Sequence, residues 1–327
     1  VDEPGDRYGW SLAVGDYDAD GFADLAIGVP GEIVGKVGAV PTGRVLVLRG
    51  SASGLTTAGV QSLAPGGVPG LSGNYFGQEL AAGDFNADGS DDLLVVGGDP
   101  EDVKNLDEDP DAARALYVLP GSPAGLTGAG SPRMITRVDL GLPAPDGYVS
   151  FTRPVAGDFN GDGRDDLAVS ARPNPVVIMY STSDGLVPTG AQTWAPTDAS
   201  LEYVADLAAG NLFGDGADEL VVGKTKDYGQ PGIPEFAGAV YVLAGSPSGL
   251  APEASVLTQD TAGIPGANEA NDEFGSALRV LGRRSGSGAW LAIGVANEGI
   301  RSVWGAGSVI VVPGVAEVDA LRERMTV

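Results

Sequence analysis

Residues 158–166 read Asp-Phe-Asn-Gly-Asp-Gly-Arg-Asp-Asp, and the chemistry that such a run can do is to hold a hard cation. Asp158, Asn160 and Asp162 carry side-chain oxygens at alternate positions, Gly163 allows a turn that a Cβ would obstruct, and Asp166 closes the loop. A set made only of oxygens favours Ca²⁺ or Mg²⁺, and the chain has no His and no Cys with which to hold zinc or copper. Calcium is the expectation, because it accepts six to eight oxygens in a flexible loop, whereas Mg²⁺ requires a tight octahedron and keeps its waters. The first six positions also read as an EF-hand loop, but that motif needs a bidentate Glu at its twelfth position and a helix on each side. Here the closing acid is the ninth residue and the flanking segments are short and β-prone, so the loop is predicted to join two strands.

The same nine-residue pattern starts at Asp16, at Asp84 and, in degraded form, at Asn211. Around each copy the order of segments is constant: an apolar strand, the loop, a second apolar strand, a third such as 44–48, then a Gly-Ser turn and a fourth strand. The five units run over about 8–74, 75–148, 149–203, 204–272 and 273–327, and together they are read as a single domain over 1–327. Units of four antiparallel strands at this period predict an all-β fold, a β-propeller of four-stranded blades in which each blade buries its faces against its neighbours. A β-solenoid is the runner-up architecture. Trp10 and Trp290 fall within strands and are expected in the core. The one stretch with helical potential, Val315 to Met325, reads equally as a strand.

With Tyr8-Gly9, Phe76-Gly77 and Phe274-Gly275 ahead of the loops and Gly28-Val29-Pro30 after the first, the sequence resembles the FG-GAP repeats of integrin α-subunit propellers and their bacterial relatives, from residue 8 to about 315. The resemblance implies a calcium-binding propeller for adhesion or recognition. Integrin-type rings have seven blades and only five units are visible, so either the ring has five or the chain is part of a larger one. On matching positions the resemblance implies that the first loop binds Ca²⁺ through Asp16, Asp18, Asp20, the Phe22 carbonyl and Asp24. The second would use Asp84, Asn86, Asp88, the Ser90 carbonyl and Asp92, and the third Asp158, Asn160, Asp162, the Arg164 carbonyl and Asp166. The fourth is weaker. Phe213 stands where an oxygen belongs, leaving Asn211, Asp215, the Ala217 carbonyl and Glu219. The expectation is therefore about three Ca²⁺ sites with a fourth in question, structural rather than catalytic, and none at the acid-free turn 283–288. An Asx-rich turn without metal is the alternative, opposed by the mutual repulsion of converging carboxylates.

The net charge of −25 argues against nucleic acid or an anionic membrane surface as partner, since 19 Lys and Arg set against 44 acids supply no basic patch. No apolar run is long enough to insert in a membrane. The chain begins at Val1 rather than Met, so a processed or trimmed amino terminus is expected, and by resemblance an extracellular, secreted location. A carbohydrate or protein ligand is expected on loops carrying Lys224, Tyr228, Arg301 and Trp304, where aromatics stand beside polar groups. The alternative there is rim packing. The acidic run 98–114 reads either as an accessory cation or partner site or as a solvated loop. Catalysis by Ser-His-Asp or Cys-His is ruled out by composition, so an enzyme on this chain would be a lyase, isomerase or cyclase using Asp, Glu, Lys, Tyr or Arg.

Overall fold

Short apolar runs rich in Val, Leu and Ala, punctuated by Gly, Pro and Asx turns, cannot propagate helices, and they form strands of two to eight residues. The structure is a computed structural model that describes residues 3–33, 41–68, 71, 73–98, 114–126, 131–143, 149–172, 175–196, 204–225, 234–282, 288–300 and 303–313. The expectations for Asp99 to Asp111, Tyr228, residues 283–287, Arg301 and Val315 to Met325 lie outside the described residues.

The first sheet is β1 (Leu12–Gly15), β2 (Asp24–Val29), β3 (Arg44–Arg49) and β4 (Thr56–Leu63), neighbours in that order. The second repeats it with β5 (Glu79–Gly83), β6 (Asp92–Gly98), β7 (Arg114–Leu119) and β8 (Arg133–Ile135). The third has β9 (Ser150–Gly157), β10 (Asp166–Arg172) and β11 (Val176–Met179); then a small hairpin, β12 (Ser181–Thr182) and β13 (Gly185–Leu186), precedes the outer strand β14 (Gln192–Trp194). The fourth is β15 (Val204–Gly210), β16 (Glu219–Lys224), β17 (Ala239–Leu243) and β18 (Ser255–Leu257). The fifth has three strands among the described residues, β19 (Phe274–Leu281), β20 (Trp290–Val295) and β21 (Ser308–Val312). Pairing is antiparallel in the first, second, fourth and fifth sheets. The described residues form no helix, and the fold class is the predicted one, all-β with repeated four-stranded blade-type sheets.

The chain divides into two compact units, residues 1–156 with 169–192, and residues 157–168 with 193–327. In the first unit Ala13, Ala26, Val45 and Val47 of the first sheet meet Leu80, Leu93, Val95, Tyr117 and Leu119 of the second. The faces are of complementary kind, smaller residues on one and larger on the other, and they share one buried cluster. Leu12 stands three residues before the end of β1, as Leu80 does in β5. Leu80 is covered at 8% exposure, while Leu12 is open at 59% and shares its face with exposed Val14. In the second unit Ala208, Val221, Val240 and Val242 meet Leu278, Leu291, Ile293 and Ile310 in the same way.

Phe76 is fully buried and meets Tyr117 edge to face at 5.5 Å. Gly77 follows at φ +95°, and its carbonyl oxygen accepts the Ser11 hydroxyl at 2.7 Å across the sheets. A Cβ on Gly28 would run into that same carbonyl, and Gly223 stands in the same relation to Gly275 in the second unit. The Phe-Gly pair and the glycine after the loop are thus two halves of one sheet-to-sheet contact. Trp10 and Trp290 correct the sequence reading: they are 59% and 37% exposed, because strand alternation places them on the outward faces of β1's approach and of β20.

Candidate metal centres

Each nine-residue loop connects the first two strands of its sheet, starting after the last glycine of β1, β5, β9 or β15 and ending on the first residue of β2, β6, β10 or β16. Its acids fold it. In the first loop the Asp20 and Gly21 N–H groups donate to the two carboxylate oxygens of Asp16 at 3.0 and 2.9 Å, and the Phe22 N–H to Asp20 Oδ1 at 2.9 Å. The second loop repeats this with Asp88 and Gly89 donating to Asp84 at 3.1 and 2.9 Å, and Ser90 to Asp88 at 2.9 Å. The third does so with Asp162 and Gly163 on Asp158 at 3.0 and 2.9 Å, and Arg164 on Asp162 at 3.0 Å. Asn86 and Asn160 accept from Asp88 and Asp162 N–H at 2.7 and 2.9 Å. The left-handed φ values of Gly21, Gly89 and Gly163, between 86° and 90°, explain the glycine at the sixth position.

The ninth acid has a second task. Asp24 accepts the Tyr17 N–H at 3.2 Å and the Gly50 N–H at 2.6 Å, and Asp92 accepts the Gly121 N–H at 2.8 Å, tying the loop to the turn after the third strand. The aromatic at the second position, Tyr17, Phe85 or Phe159, is fully buried and pins the loop to the core. Sequence reasoning passed over these aromatics, although their regular place in each copy was a readable signal.

In the first loop, one carboxylate oxygen each from Asp16, Asp18 and Asp24 lies within 4.8 Å of the others. Asp18 Oδ1 is buried with no hydrogen-bond partner, and Oδ2 meets Arg49 at 2.8 Å, a contact that sequence spacing does not show. Burial pushes Asp24 up from the usual carboxylate range, with Asp18 and Asp20 adding repulsion. Burial, then Asp88 and Asp84, pushes Asp92 up to about 7. Converging acids with a bare buried oxygen are what a divalent cation neutralises, so the donor set fits the ion that the sequence implies.

The fourth loop keeps the turn and lacks one donor side chain, Phe213 standing at the third position. Glu219 accepts the Phe213 N–H at 3.0 Å and the Gly245 N–H at 3.4 Å, as Asp24 does in the first loop. Phe213 itself is buried in the core cluster beside Leu212, and the Asn211 side-chain amide is buried without a partner. Burial, with Asp215 close by, raises Glu219 to about 8.

Of the expected ligand-binding residues, Trp304 is 83% exposed, whereas Lys224 is the last residue of β16 and only 2% exposed. Within the first unit a cavity of about 520 Å³ opens on the second loop, lined by Asn86, Asp88, Asp92, Val118, Arg133 and Asp184 among others. No helix of the described residues is long and apolar enough to cross a membrane.

Comparison with known proteins places these repeats. The family described as FG-GAP repeat matches at residues 8–48 and 151–187. Integrin alpha-PS2 of Drosophila melanogaster is 32% identical over 170 residues, half of this chain and 10% of that protein. Human phosphatidylinositol-glycan-specific phospholipase D is 32% identical over 176 residues, half of this chain and 18% of that protein. The chain thus spans less than a fifth of the length of either relative. A solved exotype rhamnogalacturonan lyase, YesX, aligns over 94% of this chain and 56% of its own with a TM-score of 0.44 at 13% identity.

Proposed function

We propose that this chain, which carries FG-GAP repeats, is a calcium-stabilised β-propeller module of recognition or adhesion, binding a protein or carbohydrate ligand through exposed loops outside the cell. The observation that carries the calcium reading is the first loop, where three carboxylates converge around a buried Asp18 oxygen that no donor satisfies. Asp16, Asp18, Asp20 and Asp24, with the Phe22 carbonyl, would hold the ion there, and the second and third loops would hold theirs through the corresponding atoms. Bound calcium would supply the positive charge that lets these acids stay ionised in a tight turn. Extracellular modules hold calcium with dissociation constants of about 10⁻⁴–10⁻³ M, which matches a protein working where the ion is abundant.

Recognition is assigned to the surface because the loop acids are occupied by turn formation and the proposed ions. Exposed Trp304 in the second unit and the cavity beside Arg133 in the first offer the mixture of apolar and polar groups that ligand surfaces use. A glycan array and a panel of purified extracellular-matrix proteins, probed in millimolar calcium and in chelator, test this. Calcium-dependent binding that Trp304→Ala or Arg133→Ala abolishes is expected; silence throughout in calcium would overturn the recognition reading.

A further inference from the structure

The eighth residue of one loop is hydrogen-bonded to the loop of the sheet before it, in each compact unit. In the first unit Asp91, eighth in the second loop, reaches the first loop: its Oδ2 accepts the Asp16 N–H at 2.7 Å, and its own N–H donates to the Asp16 carbonyl at 2.9 Å. In the second unit Asp218, eighth in the fourth loop, holds Asp158 in the same two-point clasp, at 3.2 and 2.7 Å. The residue ahead of each clasped aspartate is glycine, and the reason is steric. A Cβ would stand 2.9 Å from Asp91 Oδ2 at Gly15, and 3.0 Å from Asp218 Oδ2 at Gly157. The next peptide is gripped too, with the Ser122 N–H on the Tyr17 carbonyl at 3.1 Å and the Ser246 N–H on the Phe159 carbonyl at 3.2 Å.

One exception makes the pattern informative. At the fourth loop the main-chain half of the clasp survives, with the Ala289 N–H donating to the Asn211 carbonyl at 2.9 Å, but Ala289 has no carboxylate. That loop is the one in which Phe213 has replaced a donor and Asn211 the first acid. Of the three clasps described, those over the first and third loops carry the carboxylate and sit on full donor sets, and the one over the fourth loop lacks it and sits on an incomplete set. A tie that served only to join sheets would have no reason to follow the donor count of the loop that it touches.

We infer that the sites of the first and third loops are built across two sheets, with Asp91 and Asp218 as positioning residues for the first ligand. The inference rests on the calcium reading above. Each clasp fixes the backbone of Asp16 or Asp158 on both sides of its Cα, so the side chain presents its oxygens without further loss of freedom when an ion arrives. Each also adds a negative charge beside the ion. Because coupling is reciprocal, calcium in one loop steadies the docking of the following sheet, and docking tightens the loop's hold on calcium.

Peptide-resolved hydrogen exchange during a calcium titration of the full chain separates the loops. The wild-type protein should give half-protection of residues 16–24 and 158–166 at defined calcium levels. Asp91→Ala should shift the first of these by roughly tenfold and leave the second in place, and Asp218→Ala should do the reverse. Asp91→Asn, whose amide oxygen still accepts the Asp16 N–H, should recover most of the loss, and Asp91→Leu, similar in shape but without an acceptor, replaces the alanine variant where that fails to fold. Wild-type-like calcium dependence of residues 16–24 in Asp91→Ala, or in the leucine variant that replaces it, with stability reduced equally in calcium and chelator, would reduce the clasp to a plain sheet tie and overturn the inference. Absence of any calcium protection in the wild-type chain would instead sink the calcium reading, a distinguishable result.

Discussion

The third and fourth loops lie in the same compact unit, share one backbone plan and anchor themselves by different means. The third has Asn160 at its third position and Asp218 clasping its first residue. The fourth has Phe213 at the corresponding place, turned into the core with Leu212, and Ala289 where the clasp would be. Both keep a ninth acid at the start of a strand, and Glu219 still holds two backbone N–H groups. The turn therefore survives the loss of a donor side chain. Both keep an acid at the ninth position, a buried second residue and a positive-φ glycine at the sixth, while the fourth exchanges one oxygen for apolar burial.

The largest expected effect is on the side with the donors. Chelation should lower the melting temperature by about 10 °C, since each loop contributes about 2.7 kcal/mol when calcium exceeds its Kd a hundredfold. An unchanged melting curve would erase the distinction between the loops. Next comes Phe213→Asp, which removes a buried aromatic at a cost of about 3–5 kcal/mol in chelator, with part regained in calcium; Asn160→Ala should cost little in chelator and lose calcium response in its own loop. Chemical denaturation in both buffers reads the crossover, and equal behaviour of the two variants breaks the comparison.

A smaller effect concerns Glu219. Its folded pKa of about 8 lies above the ordinary glutamate value near 4.5, so the fold favours the neutral acid. That stabilisation is complete below the ordinary value and is lost as pH rises through about 8. In chelator, stability should fall across that window in the wild-type protein and stay flatter in Glu219→Gln, measured by denaturant midpoints. Trp304→Ala should be smallest, within about 0.5 kcal/mol in either buffer, because the side chain is open to solvent; a larger loss would place it in a packed role.

The nine-residue acidic loops were legible in the sequence as turns between strands because their geometry is local: alternate oxygens, a sixth-position glycine with positive φ and a closing acid are all fixed within nine residues. The blade order was legible for the same reason, through alternating strands and short turns. What escaped is what a strand cannot say about itself. Trp10 and Trp290 lie in apolar alternation, but which of two faces meets a neighbour is decided by other strands. Lys224 looked like a loop residue and instead closes a strand buried along its whole length. Asp91 looked like a surplus acid, since its partner Asp16 is 75 residues away in the chain.

The open face of the first sheet, where Leu12 and Val14 look outward, has a practical consequence for handling. Molecules bearing such a greasy panel are kept apart by their net charge of −25, a repulsion whose range shrinks to about 3 Å in molar salt. Concentrated brine should therefore turn clear solutions cloudy, and Leu12→Lys should keep them clear.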